Sequence, residues 1–272
     1  MKNRKTHFFL FLFIIGAIAF FSCQKETRND PGDIPAGKSR LDVMLTDDPS
    51  QLFDSIFINI QKLEVKVEDS TGAEHWDVLT IRPGIYNILR FRNGLDTLLA
   101  SGYIPNGEVK KIRITLGTGN YVMLNGVSIP LDLQSSDTVV TIDVHHGSFD
   151  NMGIRHFRIW LDMDGHGSIR VRSNGRLELR LKLSHFCRGN SGEIEGEIKP
   201  GAALPAVVLA VSGTDTLMAI PEQDGEFKIR GIRSNTATVI IKPSNGYKDS
   251  VINNVPIRFG EDTHLGRIVL HR

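Results

Sequence analysis

The chain has 272 residues, 40% of them apolar and 23% charged, with 32 basic against 31 acidic side chains. That length allows two domains of roughly 100–200 residues, and that composition is ordinary for globular bodies with a core. A near-neutral balance argues against nucleic acid as a partner and against electrostatic docking on a membrane, because both need clustered positive charge.

At the N-terminus, Lys2, Arg4 and Lys5 precede an uncharged apolar run from Phe8 to Phe21, and Ser22-Cys23 closes it before the polar Gln24-Lys25-Glu26. This is the layout of a secretory signal. The run of about fourteen residues falls short of the roughly 20 that a spanning helix needs. Cys23, directly after a small residue, resembles the acylated cysteine of a bacterial lipobox. The expectation is cleavage after Ser22 and lipidation of Cys23, against the alternatives of an ordinary cleaved signal or an uncut anchor. Removal of Lys2, Arg4 and Lys5 lowers the basic count from 32 to 29 against 31 acids, a net charge near −2. With Cys23 acylated, Cys187 has no cysteine to pair with and is expected to be a buried, inert thiol. Residues 23–38, rich in Pro, Gly and charge, read as a flexible tether.

From Leu41 the apolar period is two. Leu41, Val43 and Leu45 predict a strand that stops at Thr46-Asp47-Asp48-Pro49. Ile56, Ile58 and Ile60 are even-numbered, whereas Leu63, Val65 and Val67 are odd-numbered. Parity that changes within one strand requires a bulge, here near Gln61-Lys62. A strand through Trp76 to Ile81 follows, then one or two helical turns over Leu95–Ser101, then a strand through Ile112, Ile114 and Leu116. Tyr121–Leu124 leads into Asn125-Gly126, which fits a type I′ hairpin turn because both residues tolerate positive φ. Three further strands are predicted between Thr138 and Leu183. The second puts His156, Arg158, Trp160, Asp162 and Asp164 on one face, and the third runs through Leu177, Leu179, Leu181 and Leu183. At Ser184–Gly192 the pattern lapses, and about seven short strands follow, punctuated by Asp224-Gly225, Asn245-Gly246 and Gly260. The fold class is therefore all-β, with two β-sandwich domains at 39–186 and 190–272, of Greek-key type or of the transthyretin-like type that the resemblance given below implies.

Residues 190–272 resemble the carboxypeptidase regulatory-like domain, a sandwich of the transthyretin type, through Gly192–Gly196, Asp224–Gly231 and Gly260–Leu270. That resemblance implies a non-catalytic accessory module. Residues 38–185 resemble the family called domain of unknown function 4382, found in bacterial lipoproteins. The carriers are Leu45–Pro49, the stretch Asn93–Leu99 running on to Ile112–Gly117, and Leu161–Asp164. Leu133-Gln134-Ser135-Ser136 stands where that family usually has a Pro-Ser segment. The resemblance implies a fold and a setting, and no reaction.

Pairing of the strand that ends at His145 with the one that starts at His156 would gather Asp143, His145, His156, Asp162 and Asp164 on one surface, a donor set suited to zinc or another divalent ion. The plainer reading is the wet face of an antiparallel sheet. Asp162–Gly167 has acids at the first and third places of a calcium loop, but His166 and Ser173 occupy its fifth and twelfth, so a polar turn is expected. Trp160 beside Arg158, and Trp76, are candidate stacking platforms for a sugar ring, or else half-buried packing.

Together these features predict a lipid-anchored protein of the cell envelope, at the outer membrane, with a non-enzymatic binding or assembly role and no cofactor. Its partners would be the membrane through the anchor, and a glycan or another envelope protein. A structural spacer or adhesin subunit, and a metal-dependent hydrolase on the His/Asp face, are the alternatives.

Overall fold

The computed structural model describes residues 34–48, 52–145, 147–165 and 167–272; the expected signal segment, the expected lipidation at Cys23 and most of the expected tether lie outside them. Residues Ile34–Arg272 form one compact unit. Among the described residues the regular structure is strand and short 3-10 turns, with no α-helix.

The first half contributes β1 (Lys38–Asp48), β2 (Ser55–Asp69), β3 (Glu74–Ile81), β4 (Gly84–Asn87), β5 (Thr97–Pro105), β6 (Gly107–Leu116) and β7 (Tyr121–Leu124). It continues with β8 (Val127–Leu133), β9 (Val139–Asp143), β10 (Asp150–Gly153), β11 (His156–Asp164), β12 (Ile169–Val171), β13 (Leu177–Leu179) and β14 (Leu183–Phe186). These strands form one hydrogen-bonded array in the order β10-β11-β1-β5-β3-β2-β7-β8-β13-β12; off that path β14 pairs with β11, β4 and β6 with β2, and β9 with β6. Their inner faces share a hydrophobic cluster that runs from Leu41 to Leu181. Leu41, Val43 and Leu45 of β1 are buried in it, as are Ile56, Ile58, Ile60, Leu63, Val65 and Val67 of β2. The register of β2 against β6 slips between Ile60 and Lys62, where the sequence places the bulge. One extra residue there turns the pleat over, so both halves of β2 face the same core. Asn125 and Gly126 both adopt positive φ, 50° and 75°, in the β7–β8 hairpin.

Two expected elements are corrected. Leu95–Ser101 is not helical. Residues 97–105 are β5, antiparallel to β1, and the 3-10 turn lies earlier, at Ile88–Phe91. Leu99 and Ala100 gain more from burial between β1 and β3 than a short isolated helix could supply. The single strand expected through Leu177–Leu183 is two: β13 runs parallel to β8, and β14 crosses over to pair with β11. The lapse in pattern at 184 is thus partly strand.

The second half contains the seven short strands that the spacing predicts. They are β15 (Gly192–Lys199), β16 (Ala206–Ser212), β17 (Asp215–Ala219), β18 (Glu226–Ile232), β19 (Thr236–Pro243), β20 (Ser250–Pro256) and β21 (Asp262–Val269). They form a three-stranded sheet, β18-β15-β21, and a four-stranded sheet, β17-β16-β19-β20. Ile194, Ile198, Phe227 and Ile229 of the first pack with Val208, Ala210, Val239 and Ile241 of the second in a separate cluster. The architecture is all-β, built of sandwiches.

The chain joins this body earlier than the tether reading places it. The Arg155 guanidinium donates to the carbonyls of Ile34, Pro35 and Lys38, and the Asn106 amide donates to Gly37. Residues 34–38 are therefore held at the start of β1.

Candidate functional site

The His/Asp surface does not assemble. β9, which ends at Asp143 just before His145, pairs with β6, whereas β11 is flanked by β1, β10 and β14, so the strand leading to His145 and the strand that starts at His156 are not neighbours. His156 Nε2 lies 2.8 Å from Asp42 Oδ2, whereas the His145 ring faces His185 with centroids 6.2 Å apart. Asp143 pairs with Lys111. Asp162 and Asp164 stand at the opposite end of β11 from His156, about 20 Å or more away at 3.3 Å per residue. Among the described residues no group of three or more His, Cys, Asp and Glu side chains is arranged to hold a metal ion.

Each fragment of that surface has an internal partner. Asp42, buried on β1, accepts from Ser101 Oγ at 2.7 Å and Arg40 Nε at 3.1 Å, with Arg158 4.0 Å away. Burial alone would raise the Asp42 pKa, but the hydrogen bonds from Ser101, His156 and Arg40 outweigh it and hold the carboxyl below its usual range. Gly167 and Ser168 donate backbone N–H groups to Asp164, which closes the turn after β11. Ser148 Oγ lies 3.2 Å from His185 Nε2, but both residues are buried, and burial, with Arg233 and His145 adding to it, lowers the His185 pKa to about 4. Cys187 is a free, buried thiol, and burial pushes its pKa up. A thiol of that kind is a poor nucleophile.

Neither tryptophan is an open platform. Trp160 is 4% exposed, stacked on Phe186 at 5.8 Å, and its indole N–H donates to Asp96 at 2.8 Å, so of its two readings the packed one describes it and the stacking platform does not. Trp76 is half-buried, with the Arg113 guanidinium 3.9 Å from its ring centroid. Arg113 also binds Glu64, which ties that cation–π contact into the β2–β6 ladder.

What covers Trp160 is the second half of the chain. Arg230, on β18, donates to Asp96 Oδ2 at 2.8 Å and to Glu193 Oε1 at 3.1 Å, and its guanidinium sits 5.2 Å from the Trp160 ring and 5.6 Å from Phe186. Lys228, two residues earlier on the same strand, contacts Glu193, Glu195 and Asp262, and its backbone N–H donates to Asn93 Oδ1 at 2.6 Å. Asn93, at φ 58°, returns a bond from Nδ2 to the Glu226 carbonyl. The Asn93-Gly94-Leu95-Asp96 turn is therefore a socket for β18. Sequence reasoning missed this junction. Its one signal was the turn residues Asn93-Gly94, and their partner lies more than 130 positions away. Beside the junction, an open cavity of about 320 Å³ is lined by Asp162, Ser184, Thr216, Leu217, Arg230 and Arg233. Burial, and then the charge of Asp164, push Asp162 up to about 6 against a hydrogen bond with Ser184.

The chain is thus an all-β protein with two hydrophobic cores joined through a closed network of charged side chains. It belongs to the family whose model, described as a domain of unknown function (DUF4382), matches residues 38–180. No curated protein matches it. Among solved structures it is similar to a type II cohesin–X-dockerin complex from Acetivibrio cellulolyticus, at 23% identity and a TM-score of 0.25, over 29% of this chain and 56% of that one. It is similar to the shaft pilin spaA from Lactobacillus rhamnosus GG, at 8% identity and a TM-score of 0.22, over 86% of this chain and 98% of that one. A putative adhesin from Bacteroides ovatus matches at 9% identity and a TM-score of 0.23, over 85% and 87%.

Proposed function

We propose that this chain is a lipid-anchored protein of the cell envelope whose work is binding or assembly and not catalysis. The observation that carries the proposal is the run from Lys2 to Cys23, a positive start, an uncharged apolar stretch and a small residue before cysteine, which is the substrate pattern for export and acylation. Acyl chains on Cys23 would exceed the two-signal threshold for stable anchoring. The outer membrane is the proposed location. Residues 190–272 would be an accessory module of the carboxypeptidase regulatory-like, transthyretin type, docked on the family domain as a rigid spacer. In support, His156 of β11 is bonded to Asp42, and Asp162 shares a hydrogen bond with Ser184.

Another envelope protein is the preferred partner. A glycan is the second reading, and it would rest on the half-buried Trp76, since Trp160 is covered, with Arg113 giving up its place on that ring. The test begins with mass spectrometry of the Cys23 peptide from membranes, which should show diacylglycerol and acyl adducts that vanish in Cys23→Ser. Crosslinking on intact cells should then recover a heteromeric adduct; only monomer would refute the assembly role. Retention on a glycan array would favour the glycan reading instead.

A further inference from the structure

The end of the first sandwich at which the chain enters carries exposed apolar side chains. Ile154 is 88% exposed, the highest value among the large apolar side chains described, and Met152 and Tyr103 are 43% and 46% exposed. Ile154 and Arg155 form the turn between β10 and β11, and Arg155 grips the entering segment. The β5–β6 turn lies alongside, since Lys38 pairs with Pro105 and Gly37 accepts from Asn106. Between the β5–β6 turn and residues 147–149 opens a hollow of about 310 Å³ with apolar walls from Leu41, Ile104, Val109, Phe149 and Phe157.

We infer that this tip lies on the bilayer, with Ile154 and Met152 entering the boundary between headgroups and acyl chains. The inference rests on the anchored reading of Cys23. Ten residues, 24 to 33, separate Cys23 from the docked Ile34. Fully extended they span at most about 35 Å, and as a flexible coil they average roughly 18 Å. A tether that short holds the entering end near the surface. The distant end of β2, beside Asp54 and the β7–β8 turn, is some 45 Å from this tip along the fifteen residues of β2. Apolar side chains facing the interface add burial to the anchor's own hold. The same side chains facing water at the far end of a spacer would gain nothing.

The test uses the full chain, purified with its lipid and placed in phosphatidylcholine vesicles whose acyl chains carry bromine. Ile154→Trp supplies a reporter at the tip, and Val127→Trp, at another exposed apolar position, supplies one at the opposite end. Quenching of the unmodified chain, through Trp76 and Trp160, is subtracted. The Ile154→Trp signal should be quenched at least twofold more than the Val127→Trp signal. Normal acylation with equal quenching at the two positions overturns the contact alone. A Cys23 peptide without acyl groups, in a chain that does not float with vesicles, overturns the anchored reading and the contact with it.

Discussion

Replacement of Arg230 by Ala tests whether the junction between the two cores is a structural clamp. The Arg230 side chain is about one-tenth exposed, and it neutralises Glu193, which is itself buried, while it satisfies Asp96 beneath Trp160. Breaking a buried charge pair by removing one partner costs about 3–5 kcal/mol. Here Lys228 stays 2.9 Å from Glu193, and the indole N–H stays on Asp96, so the lower end applies, about 3 kcal/mol. For a chain of this size that is roughly 6–12 °C in the unfolding midpoint. Arg230→Lys should recover the charge but not the fork that reaches Asp96 and Glu193 together, and so should recover about half of the loss. Thermal and urea unfolding followed by tryptophan fluorescence reads both quantities, because loss of the guanidinium opens Trp160 to water and should shift its emission to the red. A midpoint that moves by less than about 0.5 kcal/mol, the size of an ordinary surface change, together with unaltered Trp160 emission, would refute the clamp.

Further expectations follow from buried groups. Asp162 is pushed up to about 6 from 3.8, so the folded state holds the extra proton between those values and its contribution to stability falls as pH rises from about 4 to 6. His185 is lowered to about 4 from 6.5, so the unfolded state holds the extra proton and stability rises with pH over nearly the same window. The two slopes oppose each other: Asp162→Asn should make stability rise more steeply between pH 4 and 6, His185→Gln should make it fall, and unchanged slopes in urea melts would contradict both assignments. Cys187 in the native chain should resist a thiol-specific disulfide reagent at pH 8 and react fully in urea; fast native labelling would mean that the site opens. Gly225 has φ +94°, and a Cβ there would sit 2.2 Å from the Ile198 carbonyl, so Gly225→Ala should cost about 3 kcal/mol in the same melts, whereas an effect near zero would show that β15 can move aside.

What the sequence discloses of this fold is whatever is local. The bulge in β2 is legible because parity is a property of neighbouring residues, and Ile60 and Leu63 cannot face one core without it. The hairpin at Asn125-Gly126 and the seven strands after Gly192 are legible for the same reason, as turn residues and alternation adjacent in the chain. β5 is misread as helical because Leu95, Leu98 and Leu99 fit a helical spacing, whereas the competing interaction, pairing with β1, lies more than fifty positions away. The His145–His156 site fails on a similar point. β11 runs parallel to β1, Arg40 beside His156 and Asp48 beside Asp164, and a parallel pairing over more than a hundred residues leaves no mark in either segment.

The polar face of β11 shows most clearly why the site was less legible than the fold. His156, Arg158, Trp160, Asp162 and Asp164 alternate with buried Ile159, Leu161 and Met163, and such a pattern ordinarily marks a sheet with one side in water. Here that side is half-buried, and dry at Trp160. β14 lies beside the strand, β18 brings Arg230 over Trp160, and the residues around β17 wall in Asp162. A strand that faces a polar junction carries the same alternation as one that faces solvent, because both must present hydrogen-bonding groups. Only the partners differ, and these come from residues 93–96 and 193–230. The tip around Ile154 is the reverse case. An isoleucine in a turn resembles a local irregularity, and it acquires meaning only when the entering chain, the gripping arginine and the length of the tether are placed beside it.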